Sequence, residues 1–121
     1  MIDVRKWLCE LPMGWHDLFC DMVIELNRTA DALGVKDNYH LIDVKEKYNM
    51  MQVYDFMDFE SNLNCIPLAL TDIIKAYENE SKRICPICGR HKTEGEDMFE
   101  KCSKRYEEMA NYNDMIDDRL P

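Results

Sequence analysis

The spacing of apolar residues along the chain predicts three helices. In the first, apolar residues recur every three or four positions, and Gly34 follows as a stop signal. That apolar stripe consists of Trp15, Leu18, Phe19, Met22, Val23, Leu26, Ala30 and Leu33. A second helix is predicted over 67–83, with Pro67 in its first turn and an inward face of Leu70, Ile73, Ile74 and Tyr77. Met98, Cys102, Tyr106 and Met109 share one face of a predicted third helix.

Between the first two helices the period changes from helical to alternating. Residues 39–48 and 51–59 alternate apolar and polar positions, which is typical of two half-buried strands. Asn49-Met50 stands between them, and Asn tolerates the left-handed conformation that tight hairpin turns need. The sequence therefore predicts an α+β fold, in the order helix, β-hairpin, helix, cysteine turn, helix.

A short cysteine motif follows the second predicted helix. Cys85-Pro86-Ile87-Cys88-Gly89 places two thiols on one tight turn, and Gly89 can adopt the positive φ that such a turn requires. Cys102 follows on the early turns of the third predicted helix, where it can supply a third thiolate to a Zn²⁺ ion. Two unrelated buried thiols, or a redox pair, are the alternatives. We expect 1–121 to form one small domain stabilised by a structural zinc ion, because a chain of this size gains from a metal crosslink.

The fourth zinc ligand has several candidates. His91 lies three residues after Cys88 and is the predicted ligand, although a solvated loop histidine is an equal alternative. The other candidates are His16, His40, Cys9, Cys20 and Cys65. For the two histidines a role in capping or packing is favoured, and for the three cysteines a role as small buried apolar side chains is favoured.

Charge and cysteine context narrow the function classes. The chain has 24 acidic and 15 basic residues, and its net charge of −9 disfavours non-specific binding to nucleic acid or to anionic membranes. A basic protein surface is the more natural charged partner. The N-terminal residues start no apolar signal stretch, and no run reaches membrane-spanning length, so the six cysteines are interpreted as reduced thiols of a cytoplasmic protein.

No catalytic motif is present in the sequence. The chain lacks the His-x-Glu signature of zinc deaminases, the His-Glu-x-x-His signature of metalloproteases, a Gly-rich phosphate loop and a serine nucleophile elbow. An open fourth zinc position holding an activated water would be the remaining route to catalysis. We therefore expect a protein that is not an enzyme.

Three stretches carry a resemblance to known proteins. Gly14-Trp15-His16-Asp17-Leu18 resembles the opening of a family of small phage-encoded proteins. The segment 44–54 is similar to that family's hairpin "VKEKFGGLRFY", and 80–89 is similar to its helix end and cysteine turn. The match covers roughly residues 14–102, in the same order. A small, acidic protein of phage type with a metal crosslink also looks like the anti-CRISPR proteins, which bind and disable CRISPR nucleases.

This resemblance implies a non-enzymatic inhibitor that binds a CRISPR effector nuclease, with type II as the expected class, and blocks target DNA loading or cleavage. For rows of acidic residues a solvated face is the favoured interpretation, and the functional alternative is a surface that docks on a basic nucleic-acid-binding groove. On the hairpin they are Asp55, Asp58 and Glu60, and in the C-terminal segment Glu107, Glu108, Asp114, Asp117 and Asp118. The alternative function is a zinc-stabilised accessory protein that contacts nucleic acid through a local basic patch. That patch is Lys82, Arg83, Arg90, Lys92, Lys104 and Arg105.

Overall fold

A computed structural model describes residues 1–58 and 66–91. The elements run in the order α1 (Arg5–Leu8), a 3₁₀ turn (Met13–Trp15), α2 (His16–Ala32), β1 (Tyr39–Lys47), β2 (Met50–Met57) and α3 (Leu68–Ser81). The predicted α+β fold class is confirmed, with a two-stranded antiparallel hairpin between α2 and α3. The predicted third helix lies outside the described residues.

The long helix α2 forms where the apolar stripe predicted it. Its inward face is fully or almost fully buried, and α2 packs along α3. Leu33, which the pattern assigned to the stripe, is instead half exposed at the C-cap, where the helix has already ended. Gly34 has a φ of +73°, the left-handed conformation that terminates helices. The sequence pattern did not predict α1 or the 3₁₀ turn, because neither is long enough to show a helical period.

The hairpin loop lies one residue earlier than predicted. It consists of Tyr48-Asn49 rather than Asn49-Met50, and both residues have positive φ, of 56° and 62°. This is the backbone pattern of a two-residue turn whose twist matches the flanking strands. The Asn49 N–H donates to the Glu46 carboxylate at 2.9 Å and stabilises the turn. Ile42 is an extra residue in the β1–β2 register, and the bulge leaves it exposed.

The second long helix, α3, begins and ends slightly inside its predicted bounds. Pro67 is the N-cap, with a ψ of 137°, rather than part of the first turn. At the other end α3 stops at Ser81, two residues before the predicted Arg83. Leu70 and Ile74 are buried as predicted, and Ile73 and Tyr77 pack at the edge of the core.

The core is formed between the two long helices and one face of the hairpin. Its fully buried aromatic and large apolar side chains come from every element except α1: Trp15, Phe19, Met22, Leu26, Tyr39, Met51 and Leu70. Trp7 of α1 closes the core from the N-terminal side. In the part of the chain that the structure describes, no helix is long and apolar enough to cross a membrane.

Candidate metal centre and acidic pocket

The cysteine turn is closed by its own backbone. The Cys85 N–H donates to the Arg90 carbonyl oxygen at 2.9 Å, and the Gly89 N–H donates to the Cys85 carbonyl oxygen at 2.9 Å. Outside these bonds Ile84 and His91 form an antiparallel bridge. Gly89 has a φ of +78°, which confirms the left-handed conformation predicted for it. The segment 84–91 is therefore a small hairpin that carries both cysteines.

The Gly14-Trp15 segment lies directly against this turn. The Gly14 N–H donates to the Pro86 carbonyl oxygen at 2.8 Å, and the Trp15 indole N–H donates to the Ile84 carbonyl oxygen at 3.0 Å. Trp15 is fully buried, so its hydrogen bond replaces water that the indole cannot reach. Two stretches separated by about 70 residues are thus joined by one backbone–backbone hydrogen bond and one side chain–backbone hydrogen bond.

The structure brings two of the four predicted zinc ligands onto one turn. Cys85 is buried and Cys88 is exposed, so the site would have an inner and an outer thiolate. Cys102 lies outside the described residues. Within 1–58 and 66–91, no group of three or more His, Cys, Asp or Glu side chains is close enough together to hold a metal ion. A complete zinc site therefore needs ligands from outside these ranges, where Cys102 is the predicted one, and the paired thiols with their tight turn fit thiolate ligation of such an ion.

His91 is at the base of the turn but faces a carboxylate. Its Nδ1 lies 3.8 Å from a carboxylate oxygen of Glu80, and its side chain is largely exposed. Because the Glu80 carboxylate lies near Nδ1, the other ring nitrogen, Nε2, is the one that could bind a metal ion. The assignment of His91 as fourth ligand stays a prediction.

The other candidate ligands have different surroundings. His16 is the first residue of α2, and its Nε2 lies 3.0 Å from the Leu11 carbonyl oxygen, the structural role favoured for it. His40 lies on the hairpin, where its ring is 5.1 Å from that of Phe56. The prediction that Cys9 is buried is wrong, because α1 is a single turn at the surface and leaves the thiol exposed. Cys20 is half-buried, and Cys65 lies outside the described residues.

The hairpin also meets the end of α3, close to the cysteine turn. The Met51 N–H donates to the Ser81 hydroxyl at 2.9 Å, and the Val53 N–H donates to the Glu78 carboxylate at 2.9 Å. Ser81 is three residues before Ile84, whose carbonyl holds Trp15. The Gly-Trp, hairpin and cysteine motifs therefore converge on the C-terminal end of α3.

A pocket of about 400 Å³ opens between the start of α2 and the cysteine turn. Carboxylates of Asp17 and Asp21 line it from α2, and Glu80 lines it from α3. Leu18 and Ile84 provide apolar lining, and Cys88, Gly89 and His91 form the side made by the turn. The pocket thus combines an apolar lining with negative charge, a combination suited to the aliphatic stem and charged end of a lysine or arginine side chain.

The acidic lining continues along α2. Asp17, Asp21 and Glu25 follow at intervals of four, so they share one exposed face of the helix. Burial, a hydrogen bond to Glu25 and the charge of Asp21 together raise the pKa of Tyr77, on α3, to about 12. No lysine or arginine of the described ranges forms an ion pair with these three acids. We call Asp17, Asp21, Glu25 and Glu80 the acidic ridge.

The sequence pattern did not indicate the acidic ridge and favoured other acidic surfaces. On the hairpin, Asp55 is engaged as acceptor of the Tyr39 O–H at 2.6 Å, whereas Asp58 is exposed. Glu60 and the C-terminal acids lie outside the described residues. The interval of four between Asp17, Asp21 and Glu25 was the available signal, although only the packing of α3 places Glu80 beside them.

The structure describes three of the six residues of the predicted basic patch. Lys82 and Arg83 are exposed directly after α3, and Arg90 is exposed in the cysteine turn. Lys92, Lys104 and Arg105 lie outside the described residues. The described part of the patch is a small cationic area near the end of α3.

The chain has no detected relatives in three comparisons. A scan against protein-family models found no matching family, and searches of curated proteins and of solved structures found no match.

Proposed function

We propose that this protein is a non-enzymatic inhibitor of phage or mobile-element origin that acts in the bacterial cytoplasm. It binds a CRISPR effector nuclease, most naturally one of type II, and competes with target DNA for a basic surface of that nuclease. The observation that carries this proposal is the acidic ridge with its pocket. The choice of partner comes from the likeness of a small, acidic chain with a metal crosslink to the anti-CRISPR proteins.

The ridge has the properties that a DNA-competing surface needs. A DNA-binding groove presents lysine and arginine side chains spaced to meet phosphates. Asp17, Asp21 and Glu25 offer a row of carboxylates along a rigid helix, and the pocket beside Glu80 can receive one long cationic side chain. Arginine is the better occupant, because its planar guanidinium can bind carboxylates through two hydrogen bonds. The net charge of −9 adds attraction at longer range.

We also propose that Cys85, Cys88, Cys102 and His91 hold one Zn²⁺ ion. A closed site of this kind supplies no reacting group; it links the cysteine turn to the chain around residue 102 and contributes folding free energy. Its role in inhibition is to keep one side of the pocket, formed by the turn, in place.

The decisive experiment measures target cleavage by several CRISPR effectors with the protein in excess, together with co-purification. Inhibition should be stoichiometric, because the protein acts by occupancy rather than turnover. The triple variant Asp17→Asn/Asp21→Asn/Glu80→Gln, which neutralises three carboxylates of the pocket, should abolish inhibition. A matched variant, Glu10→Gln with Asp37→Asn and Asp72→Asn, changes the net charge equally at exposed positions outside the pocket and should retain inhibition. If no effector is bound or inhibited, the proposal fails.

A second function is favoured by the exposed Lys82 and Arg83 near the cysteine turn. They could contact a nucleic-acid backbone, as in a zinc-stabilised accessory protein. A gel-shift assay with DNA and RNA separates the two functions. Salt-sensitive binding that is lost in Lys82→Ala/Arg83→Ala would support this second function.

A further inference from the structure

The contact between the Gly14-Trp15 segment and the cysteine turn has a consequence for metal binding. We propose that this segment is a positioning element for the metal site: it holds the first cysteine of the turn in its ligating conformation, so that docking of the segment and binding of the metal are coupled. The inference rests on the proposed zinc site, but it concerns residues that no ligand rule or motif assigns to that site.

The hydrogen bonds fix the peptide groups on both sides of Cys85. The Ile84 carbonyl, which precedes Cys85, accepts from the Trp15 indole at 3.0 Å. The Pro86 carbonyl, which follows it, accepts from the Gly14 N–H at 2.8 Å. The Cys85 carbonyl between them accepts from the Gly89 N–H within the turn. Three consecutive carbonyls are therefore held, two of them by a segment distant in sequence.

This arrangement determines where the first thiol points. With the peptide planes before and after Cys85 fixed, the direction of its Cα–Cβ bond is fixed as well. Cys85 is almost completely buried, so it cannot reorient freely toward a metal. The Gly14-Trp15 segment thus acts on the metal through the orientation of a ligand, in the manner of residues that surround and orient metal ligands in other sites.

Glycine is required at position 14 by the closeness of the two backbones. A β-carbon at Gly14 would lie 2.6 Å from the carbonyl carbon and oxygen of Pro86, and closer still to the Cys85 carbonyl oxygen. The atoms in the way are backbone, which cannot swing aside as a flexible side chain can. On the turn side, a β-carbon at Gly89 would lie 3.2 Å from the Gly14 carbonyl oxygen. A side chain at position 14 would therefore push the turn away from the segment and release the carbonyls beside Cys85.

Coupling between the segment and the metal must be reciprocal. If docking of Gly14-Trp15 raises the affinity of the turn for a metal ion, the metal must stabilise the docked segment by the same factor. Ordering the turn during folding also removes part of the entropic cost of ordering it when the metal binds. The indole N–H of Trp15 is a direct reporter of the docked state.

The first test measures the affinity of the full-length protein for Zn²⁺ and Co²⁺ by competition with a chelator. Gly14→Ala should weaken binding by about 10- to 100-fold, the range found when residues that orient metal ligands are replaced. Gly34→Ala is the matched control, because this glycine lies after α2 with open space around it. Its replacement should lower stability without changing metal affinity.

Trp15→Phe provides a second variant in case Gly14→Ala does not fold. It keeps an aromatic ring in the core but removes the donor to the Ile84 carbonyl, so we expect weaker metal binding in the same direction. Unchanged metal affinity in folded Gly14→Ala, or in Trp15→Phe if the former does not fold, would overturn the inference. A wild-type chain that binds neither ion would overturn both this inference and the zinc proposal. The proposed inhibition of a CRISPR nuclease is tested independently, by the cleavage assay.

The reciprocal test follows hydrogen exchange of the Trp15 indole N–H by NMR, with the Trp7 indole as internal reference. Zn²⁺ should slow exchange at Trp15 more than at Trp7, because only Trp15 is bonded to the cysteine turn. Equal exchange at Trp15 with and without bound zinc would contradict the coupling.

Discussion

The cysteine turn and the β-hairpin both dock near the C-terminal end of α3, but through different atoms. The cysteine turn is held by Gly14 and Trp15, with backbone against backbone at the closest point. The hairpin is held by side chains, because Ser81 and Glu78 of α3 accept from the Met51 and Val53 N–H groups on the edge of β2. One junction depends on the absence of a side chain, and the other depends on the chemistry of two side chains.

This difference predicts different responses to mutation. A backbone junction fails when any atom is added, whatever its polarity, because close-packed backbone has nowhere to move. A side-chain junction accepts changes in size more readily but fails when an acceptor is removed, because a buried N–H is then left without a partner. The two junctions can therefore be separated by variants that alter only volume or only hydrogen bonding.

The largest effect is expected at Trp15. Trp15→Ala removes a fully buried side chain and should lower the free energy of unfolding by about 3–5 kcal/mol. Trp15→Phe should cost less, about 1–3 kcal/mol, chiefly because the buried Ile84 carbonyl loses its donor. Urea denaturation checks both values. In Trp7→Phe, where the indole N–H makes no hydrogen bond within the described residues, the loss should be smaller than in Trp15→Phe; equal losses would contradict a special role for the Ile84 contact.

Ser81→Ala tests the hairpin junction. It leaves the buried Met51 N–H without its acceptor and should lower the free energy of unfolding by about 1–3 kcal/mol. Thr71→Ala on the same helix is the matched control and should be neutral or slightly stabilising, because alanine favours helix. If the two variants are equally stable in denaturation experiments, the Ser81 hydroxyl does not support the hairpin.

Two glycines with the same backbone conformation allow the cost of a left-handed backbone to be distinguished from the cost of a steric clash. Gly34 and Gly89 have φ of +73° and +78°, but only Gly89 faces another backbone. Gly34→Ala should cost about 1–2 kcal/mol for the left-handed conformation alone. Gly89→Ala should cost somewhat more, since its β-carbon would also press on the Gly14 carbonyl. Thermal melts of the two variants check the order, and a smaller loss at Gly89 would show that the cysteine turn can move away.

The smallest expected effect is the contribution of Glu78 to the pH dependence of stability. Burial raises the pKa of the Glu78 carboxyl above its ordinary value of 4.5; the Val53 N–H partly offsets this, and the charge of Asp55 adds to the rise. A carboxyl with a raised pKa in the folded state contributes stability below its unfolded pKa and loses that contribution as pH rises through the folded value.

Stability of the wild type should therefore fall relative to Glu78→Gln as the pH rises from below 4.5 through the raised pKa. The amide oxygen of Gln can still accept from Val53, so the hairpin junction is retained. Denaturation curves at a series of pH values compare the two proteins. Parallel pH profiles for wild type and variant would contradict this assignment.

The sequence by itself determined the two long helices and the hairpin of this protein. Apolar residues at intervals of three and four specify α2 and α3, and alternation specifies the hairpin, because burial of one face depends only on local spacing. Gly34 and Gly89 marked positions that need left-handed backbone. The cysteine pair was visible for the same reason, since two thiols on one turn are a local feature.

Tertiary structure alone decided which of these features meet. Nothing in the residues at 14 and 86 shows that their backbones touch, and the need for glycine at position 14 arises only from that contact. The pocket likewise requires α3 to bring Glu80 beside Asp17 and Asp21. The one-residue shift of the hairpin loop to Tyr48-Asn49 has a similar origin. Burial of Val44, Met51 and Val53 against the helices selects the strand register. This burial overrides the local preference of Tyr48 for negative φ. Long-range packing decides these contacts and the position of the loop, because the free energy gained by burial exceeds the cost of an unfavourable local backbone conformation.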